Sequence, residues 1–267
     1  MKITLNNIHL SVEVVGSGPA LLLIHGFTGS SQTWQALVPV LSQHRTLIMI
    51  DLIGHGASAV PSDPQRYAIE QCVSDLLALL DQLGIARTDL LGYSMGGRIG
   101  LLLTASAPER VGRQILIGAS PGLADPAERA ARLASDEELA ERIEREGLEW
   151  FVEFWESQSL FASQQRLPAA VREAQRQQRL AGSAIGYANA LRGMSVGRQP
   201  SLWEILPTIT TPTLLITGAL DPKFCAIAAR MAELMPHARH AIVPDAGHAV
   251  HLEQPAAVAE LVSAFLA

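Results

Sequence analysis

The sequence predicts a doubly wound α/β fold: a mostly parallel sheet with helices on both faces and a helical lid inserted over the carboxyl ends of the strands. Three observations carry this. Short apolar runs of the kind buried on both faces alternate with segments of helical period. A Gly-x-Ser-x-Gly turn, Gly92 to Gly96, joins an apolar strand-like run to a long apolar helical segment. From about Pro121 to Pro207 the texture changes to sequence rich in Arg, Glu, Gln and Ala, with no buried strand inside it.

Taken in order, Ile3 to Val15 alternates apolar and polar around Asn6-Asn7, which predicts a hairpin at a sheet edge. Ala20 to Ile24 is a continuous apolar run and predicts a strand buried on both faces. Helical spacing over Trp34 to Leu41 precedes another buried strand, Thr46 to Ile50, which runs into Asp51 and Gly54-His55-Gly56. Ala68 to Leu83 is an amphipathic helix closed by Gly84. The Ser94 turn and its helix follow, then a strand over Gln114 to Ile117. The insertion carries an aromatic knot, Trp150-Phe151 and Phe154-Trp155. Strands resume at Thr213 to Gly218 and His240 to Pro244, separated by a helix from Lys223, and a helix over Ala256 to Leu266 closes the chain. The expected organisation is one domain, with a core of residues 1–120 and 208–267 and a lid of residues 121–207.

Composition narrows the function classes. A formal charge of −6 and the absence of a basic stripe argue against nucleic-acid binding. No apolar signal core opens the chain and no apolar run reaches membrane length, so a cytoplasmic protein without membrane insertion is expected. The two cysteines, Cys72 and Cys225, fall in predicted helices without metal-ligand spacing and read as free thiols. His237-x-x-His240 lacks a carboxylate-rich helical context, so no metal is assigned, and nothing calls for a cofactor or an obligate protein partner. Lysine occurs only at Lys2 and Lys223.

The chemistry centres on Ser94. Glycines two residues before and two after it remove side chains that would collide in so sharp a strand-to-helix turn, and the serine is left at a helix N-terminus. A serine hydroxyl needs a histidine to take its proton and a carboxylate to fix that histidine's tautomer. Asp221 and His248 each follow a strand at the same sheet edge, in the order Ser94, Asp221, His248. Asp221 also reads as a cap for the helix at Pro222-Lys223. His25-Gly26-Phe27 ends an early strand, where the Phe27 N–H together with that of Met95 can form an oxyanion hole. Asp51 and His55 read as loop architecture.

With His25-Gly26-Phe27, Gly92-Tyr93-Ser94-Met95-Gly96-Gly97, Asp221 and Gly247-His248 in place, the whole chain resembles the α/β-hydrolase superfamily. Finer features, Gly-Tyr-Ser-Met-Gly-Gly-Arg, Pro121-Gly122-Leu123, Glu128-Arg129-Ala130-Ala131-Arg132, Phe161-Ala162-Ser163, Arg179-Leu180, Leu191-Arg192-Gly193-Met194 and Gly218 to Phe224, resemble the 2-succinyl-6-hydroxy-2,4-cyclohexadiene-1-carboxylate synthase family of menaquinone and phylloquinone biosynthesis. The resemblance implies a lyase on a hydrolase scaffold that removes pyruvate from a cyclohexene bearing several carboxylates.

Arg98 stands four residues after Ser94, one turn along the same helix among apolar neighbours. A guanidinium there needs an anion, either an internal carboxylate or a bound substrate. The resemblance adds Arg132 and a second lid arginine, Arg179 or Arg176, as carboxylate forks, and Trp155 as a pocket aromatic; packing within the lid would also account for Trp155. Tyr93 and Phe27 line the elbow, and Lys223 faces either pocket or solvent. The expected reaction is proton abstraction from a small anionic metabolite by Ser94, activated through His248 and Asp221. The alternatives are a carboxylesterase or carbon–carbon bond hydrolase working through an acyl-Ser94, and a ligand receptor on a retained hydrolase scaffold.

Overall fold

The computed structural model describes residues 1–267. Eight strands form one sheet: β1 (Lys2–Leu5), β2 (Ile8–Gly16), β3 (Ala20–Ile24), β4 (Thr46–Asp51), β5 (Thr88–Tyr93), β6 (Val111–Ile117), β7 (Thr213–Gly218) and β8 (Ala238–Val243). Their spatial order is β1-β2-β4-β3-β5-β6-β7-β8. Pairings from β4 onward across the sheet are parallel, while β1 with β2 and β2 with β4 are antiparallel. Asn6 and Asn7 both take positive φ, 46° and 65°, the conformation that a two-residue turn needs to match strand twist.

Ten α-helices complete the chain: α1 (Val38–Leu41), α2 (Ile69–Gln82), α3 (Met95–Ser106), α4 (Pro126–Glu146), α5 (Leu148–Glu156), α6 (Ala169–Leu180), α7 (Ala184–Gly193), α8 (Pro222–Leu234), α9 (Val250–Glu253) and α10 (Pro255–Leu266). In β3, Leu22 and Ile24 join the core formed with α2, α3 and α8, whereas Leu21 and Leu23 join the core formed with Trp34 and α10. Successive side chains of a strand point to opposite faces, so a continuous apolar run is what a sheet covered on both sides requires.

The helix predicted over Trp34 to Leu41 is a correction. The structure has a 3₁₀ turn, Ser31–Trp34, and then the short α1. Pro39 explains the break: it has no N–H to donate and its ring crowds the carbonyl four residues earlier, so the helix has to start afresh with proline in its first turn.

Between β6 and β7 the chain forms α4 to α7 and no strand. This insert has its own small core of Ala140, Ile143, Phe151, Val152, Tyr187, Ala188 and Leu191. Its two ends are tied together, the Leu202 N–H donating to Pro121 O at 2.8 Å and Trp203 Nε1 to Gly122 O at 3.0 Å. No helix is long and apolar enough to cross a membrane.

Candidate active site

The turn between β5 and α3 holds Ser94 at φ 50°, ψ −109°, a conformation that L-residues adopt only under constraint. Its N–H donates to Ile117 O at 2.8 Å and its carbonyl accepts from Arg98 N at 3.0 Å, so both flanks are fixed. A Cβ at Gly92 would stand 2.6 Å from Gly96 O, and one at Gly96 would overlap the carbonyl oxygen of Ile24. The strained turn therefore has to have glycine on both sides.

His248 Nε2 lies 3.0 Å from Ser94 Oγ, and His248 Nδ1 lies 2.8 Å from Asp221 Oδ2. With Nδ1–H donating to the carboxylate, Nε2 carries the lone pair and accepts the serine O–H. Asp221 has two tasks: Oδ1 accepts from the Phe224 N–H at 3.2 Å and caps α8, while Oδ2 orients His248. The cap and the orienting carboxylate are one residue. The Phe224 ring packs on the imidazole with centroids 4.5 Å apart, and Tyr93 does so at 5.4 Å. The loop before His248 is held by Gly247 N–H donating to Glu253 at 2.8 Å.

The N–H groups of Phe27 and Met95 donate to no backbone or side-chain acceptor outside the regular elements, and both residues line the same cavity as Ser94. The loop that carries Phe27 is tied by two bonds of His25: its Nδ1–H donates to Gly26 O at 2.7 Å and its Nε2 accepts from Leu52 N at 3.0 Å. Two free donors beside a helix N-terminus favour developing negative charge. Asp51 accepts from Ser31 and Ala57 N–H groups and so organises loops. His240 Nε2 lies 2.7 Å from Thr217 Oγ1.

A cavity of about 1320 Å³ opens above Ser94 between the sheet edge and the insert. Phe27, Tyr93, Met95, Arg98, Arg132, Trp155, Arg179, Lys223, Asp221 and His248 all line it; Arg176 does not. Of the two arginines that the sequence left as alternatives, Arg179 lines this cavity and Arg176 does not. From the outer side of α6 Arg176 pairs with Glu153 and Glu156 at 3.3 and 3.0 Å. Arg179, one turn further and only 8% exposed, is the arginine of that pair that reaches the cavity, while also bonding Glu156 at 2.9 Å.

The cations differ in how far they are neutralised. Arg132 is paired with Asp136 at 2.7 Å, and Arg179 shares Glu156. Arg98 donates to two neutral acceptors, Gln199 Oε1 at 2.6 Å and Met194 O at 2.8 Å, and has no carboxylate partner. Burial, and next the charge of Arg132, push its guanidinium down to about 10, with Asp136 opposing; it stays cationic at neutral pH. Lys223 is exposed at the rim, its Nζ 5.9 Å from the Phe224 ring. Trp155 stands edge-on to Phe27 at 5.1 Å and packs on Phe161 at 5.5 Å, so it serves both insert packing and cavity wall.

Three further residues contribute to the site, without a role assigned to them from the sequence. Phe224, three residues after Asp221, could have been found from helical phase. Phe161, from the Phe161-Ala162-Ser163 motif, reaches the cavity from the insert, and Gln199 reaches Arg98 from the insert's exit turn with no local signal.

An eight-stranded, mostly parallel sheet with a nucleophile elbow and a late histidine–aspartate pair defines an α/β hydrolase, and the family model described as the alpha/beta hydrolase fold matches residues 19–255. Among curated relatives, a Bacillus subtilis protein, provisionally named as a 2-succinyl-6-hydroxy-2,4-cyclohexadiene-1-carboxylate synthase, is 45% identical over 95% of this chain and 93% of its own length. The synthase of that name from Enterobacter sp. is 35% identical, over 93% and 92%. The solved structure of MenH from S. aureus superposes with a TM-score of 0.92 at 32% identity, covering 97% of each chain. Within the α/β-hydrolase fold, the chain belongs to the 2-succinyl-6-hydroxy-2,4-cyclohexadiene-1-carboxylate synthase family.

Proposed function

We propose that this protein is a carbon–oxygen lyase that eliminates pyruvate from an enolpyruvyl-bearing cyclohexene multicarboxylate, the 2-succinyl-6-hydroxy-2,4-cyclohexadiene-1-carboxylate synthase step of menaquinone or phylloquinone biosynthesis, working as a cytoplasmic enzyme on a small anionic metabolite. The observation that carries this reading is Arg98: a cation without a counter-ion, one helical turn from Ser94, inside the cavity. A desolvated guanidinium without a carboxylate partner is a binding site for an anion. Arg132 and Arg179 line the same cavity and supply further forks for a substrate with several carboxylates.

His248, oriented by Asp221, draws the proton of Ser94, and the serine oxygen takes a proton from the ring carbon. The C–H electron pair becomes a ring double bond and the carbon–oxygen bond to the enolpyruvyl group breaks. The departing enolate is protonated on carbon to give pyruvate, and no water is consumed. The N–H groups of Phe27 and Met95 stabilise negative charge near Oγ.

The test is pyruvate release from the cyclohexene substrate, measured beside acylation by an activated ester on the same preparation. Rapid pyruvate release without a trapped acyl-Ser94 supports the lyase; an acyl-enzyme burst without pyruvate release rejects it. Ser94→Ala should lower pyruvate release by roughly 10³-fold or more.

A further inference from the structure

The guanidinium of Arg98 is held entirely by one turn of the insert's exit. Met194 O and Gln199 Oε1 both belong to the segment that follows α7. That turn is locked on itself: Ser195 O accepts from the N–H groups of Arg198 and Gln199 at 3.1 and 3.0 Å, and Ser195 Oγ accepts from Gly197 N–H at 3.1 Å. Arg129 Nε, from α4, fastens it from outside by donating to Gly197 O at 3.1 Å.

Gln199 is fully buried, and its Nε2 has no partner. Only one amide orientation is workable, because Arg98 offers donors alone and must face the oxygen. A buried side chain that leaves half its hydrogen-bonding capacity unmet is retained for the half that is met. A glutamate would fill the same volume and bind a guanidinium more strongly, yet a neutral amide occupies the position. The neighbouring Asp136 has Oδ1 paired with Arg132 at 2.7 Å and makes no hydrogen bond to Arg98, and the two opposite charges of that pair sum to zero, although its Oδ2 is left without a partner.

We propose that Gln199 is a positioning residue that aims the Arg98 guanidinium into the cavity without neutralising it, so that the full charge is left for a substrate carboxylate. This rests on the reading of the cavity as a multicarboxylate site. Neutral acceptors fix the direction of a cation at little cost to its field, whereas a carboxylate at the same place would make a closed ion pair and weaken binding of any further anion. Specificity for an anionic substrate is then set by the absence of a charge. Gln199 does not line the cavity, so it acts only through Arg98.

The test compares the full-length protein with Gln199→Glu and Gln199→Met. Three readings are taken on each: thermal melting, the KM and kcat of pyruvate release, and calorimetric binding of benzene-1,2,4-tricarboxylate as an unreactive multicarboxylate. The expected result for Gln199→Glu is a melt at or above that of the wild type, with KM raised and tricarboxylate affinity lowered by about ten-fold or more, both exceeding the fall in kcat. Gln199→Met, which removes the acceptor and adds no charge, should also raise KM, and it decides the matter should the glutamate variant not fold. A folded variant of either kind with wild-type KM and tricarboxylate affinity would overturn the proposal, as would a wild-type protein that does not bind the tricarboxylate. A wild type that binds tricarboxylate but releases no pyruvate, with binding lost in Gln199→Glu, would reject the lyase reading and leave this inference standing.

Discussion

The backbone N–H of Arg98 donates to the carbonyl of Ser94 at 3.0 Å, so the reactive hydroxyl and an unneutralised cation ride on the same turn of α3. A carboxylate seated on Arg98 is therefore placed at a fixed reach from Oγ, which is the positioning that proton abstraction requires. Arg98→Ala should lower kcat/KM for pyruvate release by about 10²-fold to 10³-fold, while acylation of Ser94 by a neutral activated ester falls far less. Steady-state kinetics on the two substrates decide it, and equal losses would make Arg98 a packing residue.

Asp221→Asn separates orientation from capping. The carboxylate serves Phe224 N–H with one oxygen and His248 with the other. Asparagine keeps an oxygen for the helix cap but turns an NH₂ toward His248, which moves the imidazole proton to Nε2, where it can no longer accept from Ser94. Pyruvate release should fall by about 10³-fold to 10⁴-fold with little change in melting temperature. Asp221→Ala should lose the cap as well, costing about 1 kcal/mol in denaturant unfolding.

Much of this architecture could be read from the chain because its causes are local. Strands β3, β5 and β6 are apolar runs since both their faces are covered, and the glycines around Ser94 follow from a turn that admits no Cβ. What stays open is decided by contacts distant in sequence. Arg176 and Arg179 are three residues apart on α6, close enough in helical phase that periodicity alone could not choose between them. The choice depends on where the insert's packing puts Glu153 and Glu156. Gln199 meets Arg98 across 101 residues with no motif to announce it. Pro39 was visible, and its effect on helix continuity outweighed the apolar spacing around it.

Gly186→Ala tests how the insert is pinned. Alanine would add about 1 kcal/mol of helix propensity to α7, but its Cβ would run into the carbonyl oxygen of Gly54, a backbone atom that cannot turn aside. Overlap of that kind costs about 1–3 kcal/mol, so the net effect is destabilising. Displacing α7 also shifts Tyr187, whose ring packs on Phe27 at 5.6 Å, beside one of the two free N–H donors. The melting temperature should drop and kcat should fall together. Gly84→Ala is the contrast: it meets no atom within 4 Å but has φ +70°, so it should cost about 1–2 kcal/mol of strain with no change in activity.

Acid should destabilise the fold through two buried histidines. His55 and His251 are pushed down to about 3, first by burial and then by the neighbouring His25 and His248 respectively. Both are neutral in the folded protein, whereas in the unfolded chain they take up protons below about 6.5. The unfolded state therefore binds more protons between about 6.5 and 3, and stability falls as pH falls through that window. The full contribution is present above it. Each histidine contributes a slope of up to about 1.4 kcal/mol per pH unit. His251 packs between Trp34 and Tyr93 at 5.3 and 4.3 Å, and its Nδ1 has no partner, so phenylalanine can take its place without losing a hydrogen bond there. Urea unfolding of His251→Phe at a series of pH values should show the acid-side slope reduced by about one proton relative to the wild type. An unchanged slope would mean that His251 takes up its proton in the folded state as readily as in the unfolded one.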